Sequence, residues 1–533
     1  MMTSLFSTLK NKFLTLNKSS DLIFLVFLLL ILHVSLAVKL MGIVFIYFFR
    51  RDFKFGFKNK RIPFFYLLML GLLLLQYAFN AQRGFNYAVL AGLCFAYWGA
   101  SLLVTHQLKY AIETQGIKKV ENALAYFFVF NAVFTLINIL RIIYEIHSIN
   151  PYVYVGQNFK YFASTGDHLR GITMDLSTVN NIINSFGLFF FLYIRRYFLS
   201  GLCFLVAMFT TSNVGNFILM FFFIYILIVD RSRFNKSIVL CYISFLVVFV
   251  IKISPSNLNY LNNKVQSVFH LEKKIITRHW EDNTEKDQMI SKYLGRNNKA
   301  PFENFEDKRM IGYIMAETEK ADQVKSHKED SVYMNLENES RYKFVRFYNQ
   351  HYGDTLVSLD KAYYDKYPGK YLSFLETFAY VKKRPRNLMM GAGAGNFSSK
   401  LAFKASNVNI LGKYVGKLTY IAPEFEANHL KLTMVYYLKS VSEHSVINFP
   451  NSVFNQLLGE YGLIGLLLFF VFYVWFFLKK FKTLSYGRIL LPMCLLFLLT
   501  DYWFESLSMV IVFEVMMYID MAKSELALKE EAK

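Results

Sequence analysis

Residues 449–478 place hydrogen-bonding side chains directly before a long apolar run. These side chains are Asn451, Ser452, Asn455, Gln456 and Glu460. From Leu463 the chain carries no charge until Lys479, and about 20 apolar residues are enough for a helix to cross a bilayer. Amide and carboxyl groups are costly to place against lipid, so the start of this helix should face protein or a water-filled cleft. The stretch is therefore a candidate binding or catalytic site.

A second stretch, residues 391–397, reads GAGAGNF and invites comparison with phosphate-binding loops. A Walker loop requires Gly-Lys followed by Ser or Thr, and a dinucleotide fingerprint requires a third glycine three residues after the second. The run satisfies neither spacing. On local chemistry alone it predicts a tight glycine turn after a helix.

A third stretch, residues 167–181, reads DHLRGITMDLSTVNN and precedes another apolar run. Its Arg170 offers a planar fork of hydrogen-bond donors that suits a diphosphate. The same side chain could instead anchor the chain at the membrane interface by snorkelling. Both interpretations are open from the sequence.

Taken in order, the three stretches resemble signatures of the O-antigen polymerase and O-antigen ligase superfamily, which are bacterial integral-membrane glycosyltransferases. PNSVFNQLLGEYGLIG (residues 450–465) is similar to the family's E-x-G-L-I-G helix start, and PRNLMMGAGAGNF (385–397) to its outer-loop glycine element. The resemblance implies glycosyl transfer from one undecaprenyl-diphosphate-linked oligosaccharide to a sugar hydroxyl on another. It implies no cofactor and no metal, with membrane lipid and a chain-length regulator as further partners.

The resemblance also implies substrate-binding residues. Arg170 would hold the diphosphate, assisted by Lys370 or Arg346, since the family often carries a second cation ahead of the glycine element. The remaining substrate-binding candidates are Gly393, Gly395, Asn396 and Asn180. Lys370 is a weaker bidentate partner than the arginine it would replace.

The general base is the main departure from the family pattern. The ligase branch carries a histidine where this chain has Asn451, and an amide cannot accept a proton from a hydroxyl. His444 or His429 could take that role, with Asn451 orienting the hydroxyl. Glu460 is a further catalytic candidate, or it caps and orients its helix.

Composition places these motifs in a membrane protein. The chain has 533 residues, of which 55% are hydrophobic and 18% aromatic, a profile of a polytopic membrane protein rather than a soluble one. The net charge of +21 comes from Lys and Arg that cluster beside apolar runs, where they set topology, so nucleic-acid binding is not indicated. All four cysteines lie in apolar runs, so the sequence supports neither a disulfide framework nor a cysteine-based metal site.

The apolar runs predict an all-α polytopic fold. They cover about 21–50, 63–80, 85–105, 121–144, 177–194, 197–211, 214–229, 237–254, 453–478, 487–501 and 505–522. The first run would make one helix of about 45 Å against a hydrocarbon core of about 30 Å, so we expect two helices that turn near residues 35–39. This gives about twelve spans, with a large, mainly helical loop domain between the ninth and tenth.

Charge supports this count. With twelve spans and a cytoplasmic N-terminus, the basic clusters all fall on the cytoplasmic side, as the positive-inside rule requires. The clusters are 50–61, 106–119, 195–196, 230–236, 479–482 and the tail after 521. Both termini are then cytoplasmic, and the candidate site faces the periplasm or exterior of a bacterial cytoplasmic (inner) membrane. We therefore predict an N-terminal membrane domain (1–253), an extracytoplasmic loop domain (254–450), C-terminal membrane helices (451–522) and a cytoplasmic tail (523–533).

The large loop contains one clear helix signal. Its first half is highly charged and has no sustained apolar period. In the second half, Leu372, Leu375, Phe378 and Val381 recur at helical intervals. Pro385 should end that helix or follow its end.

Two other functions stay open. One is the ligase branch, which transfers glycan to lipid A core, although Asn451 argues against it. The other is a transporter or lipid flippase. The large loop breaks any repeat of equal halves, and Glu514 is one of few midplane charges, so the sequence favours a polymerase over a transporter.

Overall fold

A computed structural model of the chain describes residues 19–56, 61–153, 168–253, 367–407, 414–438 and 448–531. Every regular element within these ranges is helical, which confirms the all-α class. Arg346, His444 and most of the 254–450 region lie outside the described residues.

Nine α-helices lie within the described residues 19–56, 61–153 and 168–253. They are α1 (Leu22–Ile31), α2 (Leu36–Phe49), α3 (Phe65–Asn80), α4 (Phe85–Gln115), α5 (Ile117–Ile146), α6 (Ser177–Tyr193), α7 (Tyr197–Phe209), α8 (Asn213–Val229) and α9 (Arg233–Val248). The described part of residues 254–450 adds α10 (Gly369–Lys382), α11 (Pro385–Met390), α12 (Lys400–Ala405), α13 (Pro423–Phe425) and α14 (Lys431–Leu438).

The C-terminal helices are α15 (Val453–Leu468), α16 (Trp475–Leu478), α17 (Gly487–Leu498), α18 (Trp503–Ser506) and α19 (Ser508–Glu531). A π-helical segment, Phe469–Val474, joins α15 to α16, and another, Glu426–Leu430, joins α13 to α14. Pro385 opens α11 just after α10 ends, as predicted.

The first apolar run forms two helices, which confirms the length argument. Ser35, in extended conformation, separates α1 from α2. Gly42 lets the two helices approach closely, because a Cβ there would lie 2.9 Å from Leu30 Cβ. Lys39 folds back so that its Nζ donates to the carbonyl of Ile31 at 2.9 Å.

Within the part of the chain that the structure describes, five helices are long and apolar enough to cross a membrane. They are Phe65–Arg83, Phe85–Gln115, Ile117–Ile146, Arg233–Ile253 and Val453–Leu478. These helices support a membrane-embedded protein, whereas the twelve-span count stays a prediction. At the centre lies α19, whose residues from Ser508 to Met521 are all buried, including Glu514 and Asp520.

The helix that carries the candidate site is interrupted at Gly462. This residue has φ 66 and ψ −165 within α15, a conformation that glycine adopts at little cost. A Cβ at this position would lie 2.5 Å from the carbonyl group of Met389. The interruption therefore lets the end of α11 pack backbone to backbone against α15, which brings the glycine run to the helix.

Candidate functional site

The glycine loop, residues 391–398, encloses the side chain of Glu460. Its backbone N–H groups donate to the carboxylate from Gly395 at 2.9 Å, from Ser398 at 3.1 Å and from Phe397 at 3.3 Å. The Glu460 carbonyl accepts from Gly393 N at 3.0 Å and from Gln76 Nε2 at 2.8 Å. Successive N–H groups of this kind form an anion-binding nest. Here the nest already holds a carboxylate of the same chain.

The predicted ligands Gly393, Gly395 and Asn396 build this loop. Gly395 has φ 71, and a Cβ there would lie 2.7 Å from Leu90. Asn396 donates to the Ala392 carbonyl at 3.0 Å and accepts from the Tyr420 hydroxyl at 2.9 Å. In this structure the three residues therefore shape the loop around Glu460.

A buried polar cluster lies beside the loop and joins two predicted catalytic residues. His429 Nε2 lies 2.6 Å from Tyr502 Oη, 3.2 Å from Ser398 Oγ and 3.3 Å from Asn451 Oδ1. Asn451 Nδ2 donates to Asp501 Oδ1 at 3.2 Å, and this contact turns the amide oxygen towards the imidazole. The sequence named His429 and Asn451 separately, and the fold places them in contact.

Electrostatics make His429 a neutral side chain. Burial lowers the pKa of His429 to about 3, and nearby Lys370 lowers it further, while the contact with Asn451 opposes the shift. An efficient general base has a pKa near the working pH. In this arrangement His429 is a hydrogen-bond partner of Asn451 and Tyr502 and a weak proton acceptor.

The ammonium group of Lys370 is hydrogen-bonded to backbone carbonyls. Its Nζ donates to the carbonyls of Phe449 at 2.9 Å and Thr500 at 3.0 Å, and also to that of Asn451. Burial lowers the pKa of Lys370 to about 7, and Asp501 opposes the shift. Three carbonyls match the three N–H donors of an ammonium group. Lys370 thus ties α10 to the segments that open α15 and follow α17.

Asn180 anchors the loop that carries Arg170. Its Nδ2 donates to the Leu169 carbonyl and to Thr135 Oγ1, each at 3.1 Å, and its Oδ1 accepts from Asn131 Nδ2 at 2.8 Å. Asn180 is fully buried, which suits a structural anchor better than a substrate ligand. The Arg170 side chain, by contrast, is exposed.

A group of charged side chains near the loop that carries Arg170 was not identified in the sequence analysis. We call it the lysine cluster, and it comprises Lys39, Lys400, Lys404, Asp175 and Glu505. Lys39 is 2% exposed, with Asp175 and Lys400 as its charged neighbours. Burial and Lys400 lower the pKa of Lys404, while Glu505 and Asp175 oppose the shift. None of the three lysines forms a salt bridge with another described residue.

Glu505 links this cluster to α15. Its Oε1 accepts from Gln456 Nε2 at 2.6 Å and its Oε2 from Leu401 N at 3.0 Å. Burial raises the pKa of Glu505 to about 8, with a further rise from Glu460, while the Leu401 N–H and the lysines oppose the shift. A lysine within the apolar run at position 39 was the available sequence signal, because lysine is rare inside such runs.

Comparison with known proteins gives no information about the function of this chain. No protein-family model matches this chain. No curated protein and no solved structure matches it. Within the described residues, no group of three or more His, Cys, Asp and Glu side chains could hold a metal ion.

Proposed function

We propose that this chain is a glycan polymerase of a bacterial cytoplasmic membrane. It would transfer an undecaprenyl-diphosphate-linked oligosaccharide to a sugar hydroxyl of another lipid-linked unit. The supporting observation is the contact between the glycine loop and α15 around Glu460. The two stretches that suggested this function are distant in sequence, and a shared site requires them to meet.

In this proposal the diphosphate lies at the outer end of the bundle, held by Arg170. Its side chain is exposed on a loop that Asn180 anchors. Lys400 and Lys404 are better placed to assist than Lys370, because three backbone carbonyls already take the N–H groups of Lys370. Fixed cations stabilise the charge that develops on a departing diphosphate, and such stabilisation is often the largest catalytic contribution.

The first test is replacement of Arg170. In cells that lack the native chain, Arg170→Ala should shorten or abolish the polysaccharide ladder, with a loss of about a hundredfold in rate, or about 3 kcal/mol. Arg170→Lys should restore part of the activity because it keeps the charge and loses the planar fork. Protein levels in the membrane should match wild type.

Arg141→Ala is the matched control, since Arg141 lies on the neighbouring helix α5 and pairs with Glu145 at 2.6 Å. It should leave the ladder unchanged. A wild-type ladder in Arg170→Ala would return Arg170 to the role of an interfacial anchor.

Assay of the purified chain separates the polymerase from the other functions. A polymerase elongates the lipid-linked repeat unit without a nucleotide or an ion gradient. A ligase instead transfers the glycan to lipid A core, and a transporter moves its substrate without changing the chain length. A product attached to lipid A core, or no change in length, would contradict the proposal.

We also propose the twelve-span arrangement, with both termini cytoplasmic and the site external. Cysteine substitutions at Lys118 and His168 test it with an impermeant thiol reagent on intact cells. Cys241, the exposed native cysteine, should first be changed to serine. Labelling at position 168 and protection at position 118 are expected, and labelling at 118 would contradict the twelve-span arrangement.

A further inference from the structure

We propose that Glu505, rather than a histidine, accepts the proton of the acceptor hydroxyl. The inference rests on the proposed function and supplies the base that Asn451 cannot provide. Glu505 lies on α18, the short helix between α17 and α19, and is 7% exposed. It belongs to the lysine cluster, together with Lys400 and Lys404.

The hydrogen bonds of Glu505 prepare it to accept a proton. Each carboxylate oxygen accepts one bond, from Gln456 or from the backbone of Leu401. Both partners are donors, so they favour the ionised form. A carboxylate oxygen has two lone-pair positions, so each oxygen of Glu505 keeps one further acceptor position. The two donors also hold the carboxylate in one orientation.

The charges around Glu505 suit a site beside a diphosphate. Lys400 Nζ donates to Ser506 Oγ at 3.3 Å, next to Glu505 in the chain. Lys404 interacts electrostatically with Glu505 itself. The titratable and charged groups that face Glu505 are Lys400 and Lys404 from α12, Cys94 and Tyr97 from α4, Glu460 and Tyr461 from α15, and Tyr502. A diphosphate held by the lysines would bring its sugar towards this carboxylate.

The proposed step is balanced without any further reactant. The oxygen of the acceptor hydroxyl forms a bond to the anomeric carbon of the donor sugar. The bond from that carbon to the diphosphate oxygen breaks, and its electron pair leaves with undecaprenyl diphosphate. The hydroxyl proton passes to the Glu505 carboxylate, which releases it to water before the next cycle.

Proton affinity distinguishes Glu505 from His429. Burial lowers the pKa of the imidazole to about 3 and raises that of the Glu505 carboxyl to about 8. A base whose pKa lies near the working pH combines a useful ionised fraction with sufficient strength. His429 Nε2 is also surrounded by oxygens of Tyr502, Ser398 and Asn451. Glu505 is the better proton acceptor of the two.

The test uses the full-length chain in proteoliposomes. The probe is the lipid-linked repeat unit that accumulates in host cells lacking this chain. Glu505→Gln should lower kcat by about 10²- to 10⁴-fold, the usual range for loss of a general base, with KM little changed. For the wild type, kcat should rise with pH from 6, reach half of its plateau near pH 8 and level off about one unit higher, because the ionised carboxylate is the active form. The residual rate of Glu505→Gln should be flat across this range.

Glu505→Asp keeps the carboxylate. If the Gln variant does not accumulate in the membrane, the Asp variant tests whether Glu505 is the general base. It should give a lower kcat that still rises with pH. The control is Glu145→Gln, an acid on α5 paired with Arg141, and it should keep the wild-type kcat and profile.

Three results would overturn the assignment of Glu505. They are a wild-type kcat in Glu505→Gln, an unchanged pH profile in that variant, and a pH-independent rate in Glu505→Asp. Absence of elongation by the wild-type chain is a separate result, because it would overturn the proposed function itself.

Discussion

The glycine loop and the lysine cluster lie at the same end of the bundle and treat charge in opposite ways. In the loop, one carboxylate, that of Glu460, receives three backbone N–H groups. In the lysine cluster, three lysines approach one another, and none pairs within salt-bridge distance with another described residue. The loop is internally satisfied, whereas the cluster carries positive charge that an anionic ligand could neutralise.

This contrast separates the polar groups that hold the site together from those that could act on a ligand. A buried polar group contributes to stability only when its partners are in place, and removing one partner costs more than the bond is worth. A charged group without a close partner contributes little to stability or opposes it. Substitutions in the loop should therefore affect folding, and substitutions in the cluster should affect activity.

The largest effect on stability is expected from Glu460→Ala. It leaves the N–H groups of Gly395, Phe397 and Ser398 buried without an acceptor, at a cost of about 3 kcal/mol or more. Thermal unfolding of the purified protein in detergent would measure it. Lys400→Ala is the counterpart from the cluster, and it should change stability by less than about 0.5 kcal/mol while reducing polymer formation. Equal melting temperatures for Glu460→Ala and wild type would remove the distinction between the two regions.

The next effect concerns Lys370. It is a cation, like the residues of the lysine cluster, but its N–H groups are all hydrogen-bonded, like the polar groups of the glycine loop. Lys370→Met leaves the carbonyls of Phe449, Asn451 and Thr500 without their donor and should cost about 2 kcal/mol. Lys370→Arg keeps a charged donor and should cost less. Wild-type stability in Lys370→Met, combined with a raised KM for the lipid-linked substrate, would favour the original prediction that Lys370 binds substrate.

A loss of the same size, about 2 kcal/mol, is expected from Gly462→Ala, since the new side chain combines a strained positive φ with a backbone clash. Its Cβ would lie 2.5 Å from the Met389 carbonyl group and would push α11 and the glycine loop away from α15. The matched control is Gly71→Ala in α3, where an added Cβ meets no atom within 4 Å. Similar melting temperatures for the two variants would show that the contact between α11 and α15 contributes little.

The smallest effect is a pH dependence from His429. Its pKa is about 3 in the folded chain and about 6.5 in the unfolded chain. The unfolded state therefore binds a proton first as the pH falls, so stability falls between pH 6.5 and pH 3. At pH 5.5, one unit below the unfolded value, the loss is about 1.4 kcal/mol. The difference in melting temperature between pH 7 and pH 5.5 should be smaller in His429→Gln than in wild type, and an equal difference would assign the effect to other groups.

The positions of the helices could be predicted from the amino-acid sequence. The apolar runs correspond to helices, and the division of residues 21–50 into α1 and α2 followed from the length of the run and the distribution of charge. The boundary between α10 and α11 was signalled by Pro385. These features depend on local chemistry, namely apolar runs, helical periodicity and the restrictions that proline imposes on the backbone.

The contacts between the polar groups at this end of the bundle follow from the packing of the helices and not from local sequence. The glycine run was predicted as a turn, and packing against the interruption at Gly462 made it the nest for Glu460. Lys370 was matched to a substrate-binding cation, and its position beside three carbonyls occupies its donors. The lysine cluster joins α2, α12, α18 and the loop before α6. Each of these contacts links residues far apart in the chain, and local propensity carries no information about the packing that brings such residues together.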